Sequence, residues 1–272
     1  MSGLGTRIAT ALILVSVFLS LLWIPILAPL FYAFVLVLAG VGLVEFVALV
    51  RHNDSVNIKH LLIFGFTIFC YQYDGTLAEL NALTVAASIL TVFLLIITSN
   101  ATITSLLGTV GGFVYVMWTA SHVNLLFGIP DVGRGLVMAM VVAVAVTDVG
   151  AYFVGKSIGA HKLAPVVSPN KTWEGAIGGF VVAGIGMAVL WQLRSSLEWT
   201  SYPDWSLWIY VGVGAVLSVA GQVGDLFQSA LKRDAGVKDS GNIFPGHGGI
   251  LDRCDGFLFA APVLYYFVEF LG

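Results

Sequence analysis

Residues 11–23 read ALILVSVFLSLLW and residues 90–98 read LTVFLLIIT. Neither run alternates apolar with polar residues, as the strands of a membrane β-barrel do over about ten positions. Continuous apolar stretches point instead to helices, which need roughly 20 such residues to cross a bilayer. Similar runs recur along nearly all of the 272 residues. The composition agrees: 58% of residues are hydrophobic and 10% are charged, against about a quarter charged in soluble domains. The expected fold is an all-α polytopic integral membrane protein.

We place nine spans, at 8–28, 29–50, 60–72, 80–98, 101–127, 134–155, 174–193, 205–228 and 250–270. The third is short, so eight spans or a re-entrant segment is the alternative. Ser99-Asn100 suits the break of an antiparallel helical hairpin. Nine spans put Arg7, Arg51, Lys59, Lys156, Lys162, Lys171, Lys232, Arg233, Lys238 and Arg253 on one face, and only Arg134 and Arg194 on the other. The positive-inside rule then sets the N-terminus and the polar loops 156–174 and 229–250 in the cytoplasm. The first apolar run lacks a small-residue cleavage site between Leu21 and Pro29, so it is expected to stay as a helix. Cys70 and Cys254 have no metal-ligand spacing and read as small hydrophobes. Gly108/Gly112 and Gly175/Gly179 have the spacing that lets helices approach closely, which we read as packing within the bundle.

Charge is distributed very unevenly. Residues 224–255 read GDLFQSALKRDAGVKDSGNIFPGHGGILDRCD and hold nine of the 27 charged residues. Charges near hydrocarbon are costly, so this density marks a functional segment. Asp225, Ser229 and Lys232 share one helix face, and Asp252 and Asp255 share another. Carboxylates beside Lys232, Arg233 and Lys238 suit Mg²⁺, a hard cation that keeps water and substrate phosphates as ligands. Lys and Arg would hold phosphate oxygens, and Gly246, Gly248 and Gly249 would let the backbone approach them. Asp239 and Arg253 read either as site residues or as a supporting ion pair.

A second cluster, Ser168-Pro169-Asn170-Lys171-Thr172-Trp173-Glu174-Gly175, opens the seventh span. Ser168 or Asn170 is the expected cap, and Glu174 falls in the first turn. Lys171 beside amides at a helix N-terminus would make an anion site. Asp148 shares a face with Tyr152 and Lys156 in the span before it. It reads either as a site residue or as the partner of a neighbouring Lys.

The segment from Ser229 through Leu231-Lys232-Arg233, Lys238-Asp239, Gly241, Phe244-Pro245, His247-Gly248-Gly249-Ile250 and Asp252-Arg253 to Asp255 resembles the signature of the phosphatidate cytidylyltransferases. Thr147-Asp148, Ala151-Tyr152 and SPNKTWEG resemble that family's middle region, so the likeness covers residues 147–262. Cys254 departs from the aliphatic residue or Thr usual there. The resemblance implies a homodimeric helical enzyme that transfers CMP from CTP to phosphatidic acid, with no nucleic acid involved. It further implies a bacterial-type inner membrane, a cytoplasm-facing polar pocket, Mg²⁺ and a second cation (K⁺ or another divalent). On this match the metal carboxylates are Asp225, Asp252 and Asp255, with Asp148 as a further candidate. Lys232, Arg233, Lys238, Asp239, His247 and Arg253 are expected in the catalytic set. Asp148, Ser168, Lys171, Thr172, Glu174, Ser229, Gly248 and Gly249 are expected to bind substrate. His247 is read as a donor to phosphate or a loop organiser rather than a base. The expected division is N-terminal helices 1–140 and a catalytic region 141–272. A CTP-dependent polyprenol kinase and a cation-coupled transporter are the competing readings. The HGG-x-x-DR-x-D arrangement argues against the first, and the gathering of charge at one face without a repeat argues against the second.

Overall fold

The computed structural model describes residues 3–50, 65, 77–97, 102–243 and 248–271. The expected third span apart from residue 65, the Ser99-Asn100 break, Cys70, Gly246 and His247 lie outside these residues. The apolar runs fold as helices, because only a helix satisfies every backbone group within one segment in hydrocarbon. They are α1 (Gly3–Trp23), α2 (Ala28–Val50), α3 (Leu77–Ile97), α4 (Ile103–Gly112), α5 (Thr119–Gly128), α6 (Gly133–Ile158), α7 (Trp173–Leu197), α8 (Leu207–Asp234) and α9 (Leu251–Leu271). A 3₁₀ turn, Pro25–Leu27, separates α1 from α2, and a π-helical segment, Phe113–Trp118, joins α4 to α5. Among the described residues, six helices are long and apolar enough to cross a membrane. The chain is an α-helical integral membrane protein.

One element departs from an all-helical reading. The polar loop after α6 forms an antiparallel hairpin of β1 (Lys162–Ala164) and β2 (Ser168–Thr172), with Lys162 opposite Thr172 and Ala164 opposite Ser168. A five-residue polar strand has no apolar alternation to announce it.

The chain groups into two compact units, each made of two separate stretches of sequence. The first holds Met1–Leu125 with Asp234–Arg253, and the second Leu126–Arg233 with Cys254–Gly272. In the first, Gly112 faces Phe46, whose ring would lie 2.6 Å from an added Cβ. In the second, α6 and α7 make the most extensive helix contact. Glycines on both permit it. A Cβ at Gly179 would lie 2.8 Å from the Thr147 carbonyl oxygen, and one at Gly175 equally close to that of Ala151. Gly175 and Gly179 therefore pack helix to helix inside this unit, as their spacing suggested.

Candidate active site

The second unit contains a cavity of about 470 Å³ lined by Asp148, Tyr152, Lys156, Asn170, Lys171, Thr172, Gln222 and Asp225, among others. Three local features deliver these side chains. Thr172 ends β2 in an extended conformation, and its hydroxyl accepts from Gly175 N at 3.1 Å, so it is the N-cap of α7. The cap expected of Ser168 or Asn170 is thus made by Thr172, because β2 continues the extended backbone up to the residue that precedes α7. Replacing this cap is expected to cost about 1 kcal/mol. Thermal unfolding should show Thr172→Ala less stable and Thr172→Ser close to wild type.

The hairpin is tied down at both ends. Glu174 accepts from Ala160 N at 3.1 Å, from His161 N at 3.2 Å and from His161 Nδ1 at 2.6 Å. Trp173 N donates to His161 O at 2.9 Å. At the tip, Arg233 Nε donates to Val167 O at 3.3 Å. Glu174 and Arg233, expected at substrate, thus have hairpin contacts of their own. Lys171, held on β2, forms an ion pair with Asp225 Oδ2.

Asp225 comes from α8, which lies very close to α9 at this point. A Cβ on Gly224 would collide with the Asp255 carbonyl oxygen and lie 3.2 Å from the Phe259 ring. The missing side chain brings the Asp225 and Asp255 backbones together. Asp148, Asp225 and Asp255 are electrostatic neighbours, with Lys171 and Lys232 beside them. The two cations offset the mutual repulsion of three carboxylates. Gln222, one turn before Asp225, donates to Ala176 O at 3.2 Å and holds α8 against α7. Among the described residues, no three His, Cys, Asp or Glu side chains are grouped closely enough to cage a metal.

In the first unit, the other half of the signature organises itself around two carboxylates. Asp252 Oδ2 accepts from Ser240 N at 2.7 Å, from the Ser240 hydroxyl at 3.0 Å and from Gly249 N at 3.1 Å. Glu45, in α2, accepts from Ile250 N, Leu251 N and the Ser240 hydroxyl, each at 2.9 Å. Gly248 is left-handed, with φ +79°. A Cβ there would lie 2.8 Å from Asp252 Oδ2, and one on Gly249 would strike Glu45 and Ser240. These glycines make room for protein carboxylates, and the amides of Gly249, Ile250 and Leu251 already have partners. Lys238, Asp239 and Arg253 are exposed.

Sequence reasoning anticipated Asp148, Lys171, Thr172 and Asp225 in one site, and the cavity contains all four. Ser168 and Ser229 are half-buried on β2 and α8 and are not among its lining residues. Tyr152, Lys156, Asn170 and Gln222 line it without having been assigned to it. Tyr152 and Lys156 were legible from their shared face with Asp148, and Gln222 from its position three residues before Asp225. Glu45 was missed, although it is the one charged residue in the 23 positions of α2.

The sequence model of the Cytidylyltransferase family matches residues 5–271. The chain belongs to the cytidylyltransferase family. Among similar members, a phosphatidate cytidylyltransferase of Brucella suis is 33% identical over 273 residues, covering 98% of this chain and 94% of that protein. The phosphatidate cytidylyltransferase of Bacillus subtilis is 55% identical over 120 residues, covering 44% of this chain and 42% of that protein. That of Staphylococcus aureus strain COL is 51% identical over 119 residues, covering 43% of each. The chain therefore spans about two-fifths of the length of the latter two relatives in these alignments. The match of this chain to its family extends well beyond the polar segments and takes in the apolar N-terminal helices.

Proposed function

We propose that this chain transfers CMP from CTP to phosphatidic acid, giving CDP-diacylglycerol and pyrophosphate. The observation that carries this reading is the cavity in which Lys171 pairs with Asp225 while Asp148 stands beside them. A phosphate oxygen of the lipid attacks the α-phosphorus of CTP. The new P–O bond forms as the bond from that phosphorus to the bridging oxygen of the departing pyrophosphate breaks. The lipid phosphate is already ionised at neutral pH, so no protein base is required. What the chain must supply is position and charge neutralisation.

Lys171, Lys156 and Lys232 hold phosphate oxygens in this reading, with Asn170, Tyr152 and Gln222 as hydrogen-bonding groups that orient the substrates. Asp225 and Asp255 would hold Mg²⁺, and we assign Asp148 to a second cation, K⁺ or another divalent. The donor set fits: all are hard carboxylate oxygens, and Mg²⁺ uses one or two carboxylates completed by water and substrate phosphates rather than a protein cage. When bound, the ion would neutralise charge on the nucleotide phosphates. In the other unit, Lys238 and Arg253 offer cations to phosphate, and Asp252 shapes their segment. Its Oδ2 already accepts from the amides of Ser240 and Gly249, and shares the Ser240 hydroxyl with Glu45.

The charge bias of the nine-span arrangement, with ten basic residues on one face, supports a cytoplasmic site in a bacterial-type inner membrane. The enzyme works as a homodimer in this reading. CTP labelled at the α or the γ phosphate provides the test, with purified protein and phosphatidic acid in mixed micelles. Label from the α position is expected in the lipid product, and label from the γ position in pyrophosphate. Transfer of the γ label to lipid would make the protein a kinase and overturn the proposal.

A further inference from the structure

Glu45 is 5% exposed and sits in an otherwise uncharged helix. A buried carboxylate is tolerated when hydrogen bonds replace its water. All three donors to Glu45 come from one short segment: the Ser240 hydroxyl and the amides of Ile250 and Leu251. The two amides open α9, where unsatisfied N–H groups and the helix dipole favour a negative charge. Glu45 supplies that charge from within the protein.

The fit around it is close. A Cβ on Gly241 would lie 2.8 Å from Glu45 Cδ, and one on Gly249 would lie 2.6 Å from it. Ser240 is shared, since its hydroxyl is 2.9 Å from Glu45 Oε2 and 3.0 Å from Asp252 Oδ2. Ser240 and Gly249–Leu251 are thus gripped by two carboxylates, one local and one from a helix about 200 residues away in sequence. Lys238 and Asp239 precede Ser240, and Asp252 and Arg253 follow Leu251. The position of all four depends on that grip.

We infer that Glu45 is a positioning residue for the transfer reaction, acting through Ser240, Ile250 and Leu251 on the charged residues that flank them. This inference rests on the proposed function for its catalytic consequence, but not for its structural one. Glu45→Gln keeps the shape and replaces one acceptor oxygen with a donor facing an N–H group. In the full chain in detergent, hydrogen exchange at the Ile250 and Leu251 amides should become about tenfold faster, as for loss of one charge-assisted hydrogen bond. Exchange in α6, α7 and α8 should not change.

With CTP and phosphatidic acid, kcat/KM should fall about 10- to 100-fold, the range seen when outer supporting partners are removed. The fall should include a raised KM for CTP, which a smaller folded fraction would not produce. Glu45→Asp, which keeps the charge, should recover part of the loss. Ser240→Ala, which leaves both backbone bonds to Glu45, should lose several-fold less than Glu45→Gln. Unchanged exchange at Ile250 and Leu251 would overturn the inference, and so would uniformly faster exchange in every helix. So would wild-type KM and kcat in an active Glu45→Gln enzyme. A wild-type protein that transfers no CMP would sink the functional reading alone, and the exchange result would still decide the role of Glu45.

Discussion

Asp225→Asn is expected to lower CMP transfer by about 10²- to 10³-fold, the scale on which removal of one preorganised electrostatic group acts. The substitution is nearly isosteric, so the cavity keeps its shape while losing a charge. Lys171 loses its ion-pair partner, and the α8 end loses the carboxylate that lies beside Asp255. A carboxamide oxygen cannot neutralise a bound cation. Pyrophosphate release with CTP and phosphatidic acid measures the effect, and circular dichroism with a melting curve shows whether the variant is folded. A folded Asp225→Asn protein with near-normal turnover would remove this cavity from the chemistry. Lys171→Met should also be strongly impaired, chiefly through KM, if its ammonium holds substrate phosphate.

Gly224→Val is expected to cost about 1–3 kcal/mol, the usual penalty for forcing atoms into a packed interior. The obstacle is the Asp255 carbonyl oxygen, a backbone atom that cannot rotate away, with Phe259 behind it. Relief requires α8 and α9 to separate at the level of Asp225 and Asp255. The melting temperature should therefore fall by several degrees, and activity should fall with it. Gly212→Ala, on the same helix, is the control. Nothing lies within 4 Å of a Cβ there, so it should be neutral or slightly stabilising, because Ala favours helix over Gly. Equal stability of the two variants would show that the close approach at Gly224 is not limiting.

The helices were legible because hydrocarbon imposes a simple rule on composition, and α6 to α9 lie close to the ranges read from apolar runs. Asp148 and Asp225 were legible as charges inside greasy segments, and Lys171 as a cation at a helix start. The hairpin was not, since its strands are polar, short and fixed by Glu174, Arg233 and Trp173 from outside. That is also why Thr172, rather than Ser168, caps α7. Asp252 was legible as a site candidate, but spacing could not show that Ser240 and Gly249 would turn back onto it. Glu45 carried the signal of a lone acid in an apolar helix, yet its partners lie near the other end of the chain.

In the proposed reaction, the hairpin bears on how product would leave. Lys171 is followed by the cap of α7 with no intervening linker, and the turn before β1 and the tip after it are each held by a side chain. This segment has no hinge about which it could swing like a lid without unwinding a helix end. In the proposed reaction, ligands would pass Lys171 by rotation of that one side chain, with the backbone as a fixed threshold. Turnover should accordingly be insensitive to cross-linking the hairpin, and sensitive to the length of the side chain at position 171.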